Sequence, residues 1–299
     1  MKQRSRFLSF SRWRKKNPIK FYVLIALLGL FLLMLYASNH SWKKSHYQVS
    51  SPKISNAFNG FKICQISDLH GRIPGNGSDF IADIQEEKPD IIVFTGDTVN
   101  PKKNEQTPFL EYLQKISQIA PSYMIPGNTE LLWAEEKPEE EKTFQTEVTK
   151  RGITLLENRS VPILRRGSRI FLAGLREDFH YYPDYRKGVS LPVGQFLKRE
   201  KESYEILLAH NPEYWPDYLT WGADLTLSGH LHGGMVRLPF LGGLFTPEGG
   251  LMPGYDKGLY KQGNQAMVVS AGLGVFVFPW RWMNPPDLVF IDLQSQSIH

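Results

Sequence analysis

Apolar and polar positions divide this chain into three stretches of different texture. Residues 21–37 form an unbroken apolar run, residues 38–60 are largely polar with no sustained period, and from 61 onward short apolar runs alternate with amphipathic ones. The runs at 61–67, 90–95, 122–125, 169–175, 205–209, 225–228, 266–271 and 287–293 have strand length and are bounded by turn-forming residues. Helical spacing falls at 78–88, 107–118, 139–151 and 193–202. This alternation predicts α/β layering, with buried sheets and helices on their faces. Fewer helices separate the later strands, which predicts a second sheet rather than one continuous doubly wound one.

The run at 21–37 holds no charge, and as a helix at roughly 1.5 Å per residue it would span about 26 Å, close to a ~30 Å hydrocarbon core. Lys20 and Lys43 can snorkel at its ends, and Trp13, Tyr22, Tyr36 and Trp42 fall near the two interfaces. A cleaved signal peptide and a buried soluble helix are the competing readings. The run is longer than a usual signal core, and Leu35, Tyr36 and Ala37 make a poor small-x-small cleavage site. The division that follows is a tail at 1–20, a transmembrane anchor at 21–37, a stalk at 38–60 and a catalytic domain at 61–299.

Charge sharpens that division. Residues 1–20 carry eight Lys and Arg and no acid, so the whole chain's +5 leaves −3 for the other 279 residues. The basic flank predicts a cytoplasmic N-terminus, a single-pass protein of the cell membrane and an extracytoplasmic domain. The acidic remainder argues against nucleic acid as a partner. The run at 135–142, five Glu and two Lys, reads as a solvated loop leading into the acidic first turn of a helix. The single cysteine, Cys64, excludes intramolecular disulfides and a cysteine-based zinc module.

Candidate chemistry concentrates in five segments, each placed where a strand ends. These are Asp68-Leu69-His70, Gly96-Asp97, Gly127-Asn128-Thr129-Glu130, Ala209-His210 and Gly229-His230-Leu231-His232. Parallel strands present their C-terminal ends along one edge, where ligands bind. Alternate residues of an extended stretch project to the same side, so Asp-x-His and His-x-His suit a metal.

These segments resemble the calcineurin-like metallophosphoesterase superfamily, whose pattern is D-x-H, G-D, G-N-H-D/E, H and G-H-x-H, over roughly residues 61–293. With its anchor, the chain is similar to the bacterial membrane-anchored branch. The resemblance implies a four-layer αββα sandwich with a dinuclear centre. By motif, Asp68, His70 and His232 would hold one metal, Asn128, His210 and His230 the other, and Asp97 would bridge. Imidazole, carboxylate and amide ligands without a thiolate suit two divalent ions of manganese, iron or zinc. Two such ions less two carboxylates and a bridging hydroxide leave about +1, which suits a phosphoryl substrate. In this reading the hydroxide is the nucleophile, and Asn128 and His210 act at the reacting centre.

Thr129 departs from the pattern, since the family has histidine there. General-acid assistance, worth typically ~10²–10⁴-fold, must then be absent or come from elsewhere. A good leaving group such as a pyrophosphate removes the need, and His180, in the aromatic loop at 179–185, is an alternative donor. Residues 238–286 are rich in glycine, proline and aromatics, including Phe240, Phe245, Phe276, Phe278, Trp280 and Trp282. They read as packing of the second sheet, or as an apolar groove or bilayer-resting surface in which Arg281 clamps a phosphate.

The expected function is hydrolysis of a phosphoric ester, on an envelope or lipid-linked phosphate or pyrophosphate that the anchor keeps close. A catalytically weak metal-bound scaffold or sensor of the same fold is the alternative. A Ser/His/Asp esterase lacks its Gly-x-Ser-x-Gly elbow.

Overall fold

The computed structural model describes residues 15–102, 107–184, 188–200, 202–246, 250–274 and 280–296. Trp13, Phe276 and Phe278, named above, lie outside them. The chain starts with helix α1 (Pro18–His40) and enters strand β1 (Lys43–Ser51) two residues later. It continues through β2 (Phe61–Ile66), α2 (Ser78–Glu87), β3 (Ile91–Thr95), α3 (Thr107–Ser117), β4 (Ser122–Ile125), α4 (Asn128–Glu136), α5 (Pro138–Lys150) and β5 (Ile153–Leu155). Next come β6 (Arg159–Arg165), β7 (Ser168–Gly174), β8 (Glu205–Leu208), α6 (Trp215–Trp221) and β9 (Leu225–Ser228). A small hairpin of β10 (Arg237–Leu238) and β11 (Gly242–Gly243) precedes β12 (Gly258–Gln262), β13 (Gln265–Val269) and β14 (Asp287–Ser295).

Two six-stranded sheets result, ordered β1-β14-β2-β3-β4-β5 and β12-β13-β9-β8-β7-β6. Strands β2 to β5 run parallel in the first, and β7, β8, β9 and β13 in the second. The period of two along each strand sets the layers. In β2 and β3, Ile63 and Val93 point between the sheets, where they meet Leu172, Ile206, Leu227 and Val268. Cys64, Ile66, Ile92 and Phe94 point outward onto Phe80 and Ile84 of α2 and Leu113 and Ile116 of α3. The outer face of the second sheet buries Leu207 and Met267 against Trp215 and Tyr218. The four-layer αββα sandwich of the motif resemblance is what forms.

All eight strands read from the sequence are present. The helix expected at 193–202 shrinks to Val193–Phe196. The acidic run is no loop, since Glu135 and Glu136 end α4 and Lys137 alone separates it from α5, whose first turn holds Glu139, Glu140 and Glu141 as expected. The stalk reading of 38–60 needs correction. Lys43–Ser51 pairs in parallel with β14 along its whole length, from Lys43 opposite Asp287 to Ser51 opposite Ser295, and Val49 enters the core between the sheets. Its sequence hides this because the strand buries only one face, and two of the three buried residues there, Ser45, Val49 and Ser51, are serines. Helix α1 is long and apolar enough to cross a bilayer, and most of its length is exposed.

Candidate metal centre

Each chemical segment leaves the C-terminal end of a parallel strand. Asp68 and His70 follow β2, Asp97 follows β3, Asn128 follows β4, His210 follows β8, and His230 and His232 follow β9. The two sheets face each other, so these ends meet at one edge of the sandwich. Gln65 ties the sheets just beneath, donating through Nε2 to Thr95 Oγ1 (3.1 Å) and to the Ser228 carbonyl (2.8 Å).

Five of the seven candidate ligands, Asp68, His70, Asp97, His230 and His232, have positive φ between 47° and 70°. Non-glycine residues there cost of order 1 kcal/mol or more each and persist only where the surroundings impose them. The surroundings are crowded. Gly96 has φ +97°, and a Cβ on it would run into the His210 ring and Gly127 Cα; one on Gly272, at φ +69°, would lie 2.7 Å from Asp68 Cβ.

Two groups of side chains converge closely enough to hold a cation: Asp68 with His70 and His232, and Asp68 with Asp97 and His210, all buried. Asp97 presents Oδ1 to His210 Nε2 and Oδ2 to His70 Nε2, each at 3.6 Å, one oxygen to either side. Asp68 Oδ1 lies 3.6 Å from His232 Nε2 and 3.9 Å from His210 Nε2. The His230 ring packs edge-on against His210 at 5.1 Å, and its backbone N–H donates to both Asp68 carboxylate oxygens. Asn128 Oδ1 and His210 Nε2 are buried and take no hydrogen bond. An unpaired amide oxygen and an inward-turned ring nitrogen beside two carboxylates fit a bound divalent ion.

The spare ring nitrogens set tautomers. His210 Nδ1 donates to the Thr95 carbonyl at 2.6 Å, turning Nε2 inward. Burial alone would strip its charge, but Asp97 and then Asp68 raise it to about 10, so the ring is an imidazolium without a metal. Burial pushes the Asp97 carboxyl the other way, yet the charge of His210 holds it well below the usual carboxylate range. Burial keeps His70 and His232 neutral. Arg281 Nη2 lies 3.2 Å from His232 Nδ1 and can only donate, so the His232 proton sits on Nε2, aimed at His70 Nε2 3.2 Å away.

Arg281 therefore does not clamp a phosphate. Its guanidinium is fully buried and spent on the Ala271 and Gly274 carbonyls and His232. His180 is exposed, its Nδ1 2.8 Å from Asp178 Oδ1; the ring from its loop that touches the cluster is Tyr182, 5.2 Å from His230. Thr129 is at the cluster, its N–H donating to Asp97 Oδ1 at 2.8 Å.

Two contributors were not assigned roles from sequence. Glu130 is buried and accepts N–H bonds from Asp97 (3.0 Å), Val99 (2.9 Å) and Gly127 (2.8 Å), stitching the β3 and β4 loops together. Burial, with the Asp97 charge, raises its carboxyl to about 7 against these donors. Asn284 Nδ2 donates to the His232 carbonyl at 2.7 Å. The Glu130 signal was present as the last residue of the 127–130 motif; Asn284 stands in no recognisable pattern.

The layers and the buried imidazole–carboxylate cluster at their shared edge define an α/β sandwich suited to divalent metal. Residues 61–234 match the family model of calcineurin-like phosphoesterases. The chain is 30% identical over 268 residues to the uncharacterized metallophosphoesterase YkuE of Bacillus subtilis, covering 88% of this chain and 89% of that protein. An uncharacterized metallophosphoesterase of Helicobacter pylori is 26% identical over 304 residues, 97% of this chain and 74% of that one. Phosphodiesterase YaeI of Escherichia coli is 28% identical over 239 residues, 78% of this chain and 82% of that one. The chain belongs to the calcineurin-like phosphoesterase family and is a phosphoesterase.

Proposed function

We propose that the chain hydrolyses a phosphoric ester or pyrophosphate of an envelope or lipid-linked molecule, with α1 anchoring it in the cell membrane and the domain outside the cytoplasm. The observation that carries the chemistry is the geometry of Asp97, whose two oxygens face His210 on one side and His70 on the other at equal distance. A bridging carboxylate between two cation positions has that form. Asp68, His70 and His232 would hold one ion, and Asn128, His210 and His230 the other. Bound there, two divalent ions of manganese, iron or zinc supply Lewis acidity and an acidified water as nucleophile.

The chain's own residues do the rest. His210 turns a fixed Nε2 inward through its bond to Thr95, and Asn128 offers a buried amide against developing phosphoryl charge. Glu130 holds the Asp97 and Gly127 loops in register. The apolar α1, whose end bonds to the backbone of Arg281 beside the cluster, supports a substrate drawn from the membrane.

Metal analysis of the full-length protein, with hydrolysis of an aryl monoester, an aryl diester, a nucleoside-diphosphate sugar and a lipid pyrophosphate, tests the reading. Two metals per chain and metal-dependent turnover fastest on the lipid pyrophosphate are expected, with Asp97→Asn at least about 10²-fold slower. Full turnover by Asp97→Asn would remove the dinuclear assignment, and preference for the soluble nucleotide would remove the lipid one.

A further inference from the structure

The described surface carries an apolar concentration beside the end of α1. In the β10–β11 hairpin Phe240 is wholly exposed, and Leu241, Leu251, Met252 and Trp280 are each more than half exposed. These residues form one unit. Phe245 bridges Leu251, Met252 N–H donates to the Leu244 carbonyl (3.0 Å), and Arg237 N–H donates to the Trp282 carbonyl (3.0 Å). Glu248 is the only ionisable residue in 238–254, and Arg281, turned inward and buried, the only one in 272–286. A contiguous apolar patch of this kind marks a contact surface.

Its place relative to α1 says what it contacts. Trp282 stacks on Phe31 with ring centroids 4.3 Å apart. Phe31 lies six residues before Ala37, the end of the apolar run, which is about 9 Å down the helix at ~1.5 Å per residue. The loop carrying Trp280 and Trp282 thus reaches down beside the apolar part of α1 rather than standing off its polar end. The Asn39 side chain fixes that depth, accepting from Arg281 N–H (2.9 Å) and donating to the Arg281 carbonyl (3.0 Å). Trp42 and Arg72 line a cavity at the same junction, an aromatic and a cation of the kind favoured at headgroup height.

We infer that the rim of Phe240, Leu241, Leu251, Met252 and Trp280 enters the outer leaflet beside α1 and seats the metal cluster at the bilayer surface. This rests on the reading of α1 as a membrane span. The rim is joined rigidly to the cluster, because His232 lies five residues before the hairpin and Arg237 Nη1 bonds the Gly233 carbonyl at 2.9 Å. It would admit substrate from the membrane plane.

The test uses full-length protein in phosphatidylethanolamine/phosphatidylglycerol vesicles, with an environment-sensitive nitrobenzoxadiazole label on Phe240→Cys or Leu251→Cys. Leu28→Cys in α1 and Thr146→Cys on the exposed face of α5 are references, and native Cys64 is buried from the reagent. Blue-shifted emission at 240 and 251, quenched by acyl-chain nitroxide lipids at least about twofold more than at 146, is expected. Label at 240 and 251 that behaves like that at 146 while 28 is quenched would overturn the rim and leave the anchor standing. An unquenched label at 28 would overturn both. Disulfide-linked dimers through 240 without quenching would make the rim a self-association surface and overturn the inference.

Discussion

Thr129 stands in the first turn of α4 with its N–H on Asp97, at the motif position where the family pattern has histidine. Its hydroxyl cannot serve as a general acid near neutral pH. Thr129→His should raise turnover of a poor-leaving-group ester relative to a good one, by up to about 10²-fold; an unchanged ratio shows that the threonine does not mark altered leaving-group demand. Protons also report on the cluster. The raised His210, at about 10, stabilises the metal-free fold fully below its unfolded value near 6.5, and this contribution is lost as pH rises through about 10. A cation must displace that proton, whereas on the neutral His232 ring the Nε2 proton only moves to Nδ1. Manganese binding at pH 8 should therefore release about one proton, read by calorimetry in buffers of different ionisation enthalpy, and weaken as pH falls. Zero release would contradict the assigned protonation. Histidines and aspartates declared themselves in the sequence through spacing and neighbouring glycines. Arg281 was misread because a cation among aromatics looks the same on a surface as in a core; only burial separates a clamp from a brace.

Among elements, the strands with buried faces on both sides were the legible ones. Ile91–Thr95 is buried throughout, and Ile91 to Phe94 are all apolar, because both faces are covered. Strands β1 and β6 lie at sheet edges and carry a largely polar and a proline-interrupted pattern, and α4 begins inside the 127–130 motif, so none gave a periodic signal. The consequence for β1 can be measured. Val49→Asp places a carboxylate in the core between the sheets, at a position 3% exposed, and should cost about 3 kcal/mol. In full-length protein the melting temperature should fall by at least about 6 °C. A change of a degree or less would return 43–51 to the status of a linker.

At the scale of the molecule, the cluster draws Asp68, His70, Asp97 and Asn128 from one sheet and His210, His230 and His232 from the other. Cations held between them would clamp the two halves of the sandwich. Saturating manganese should raise the melting temperature over chelator-treated protein, by the equivalent of about 2.7 kcal/mol per site at a hundredfold excess over Kd; coincident melts would mean that no cation joins the sheets. The short connection from α1 to β1 bears on how such an enzyme searches. A flexible stalk over 38–60 would have let the domain roam ~25–30 Å from its anchor, but Ser41 and Trp42 extend ~7 Å at most. With α1 in a bilayer, the enzyme works at fixed height. It would meet a lipid-linked substrate by two-dimensional diffusion, and a phosphate fixed far out in the envelope would stay beyond reach however abundant it is.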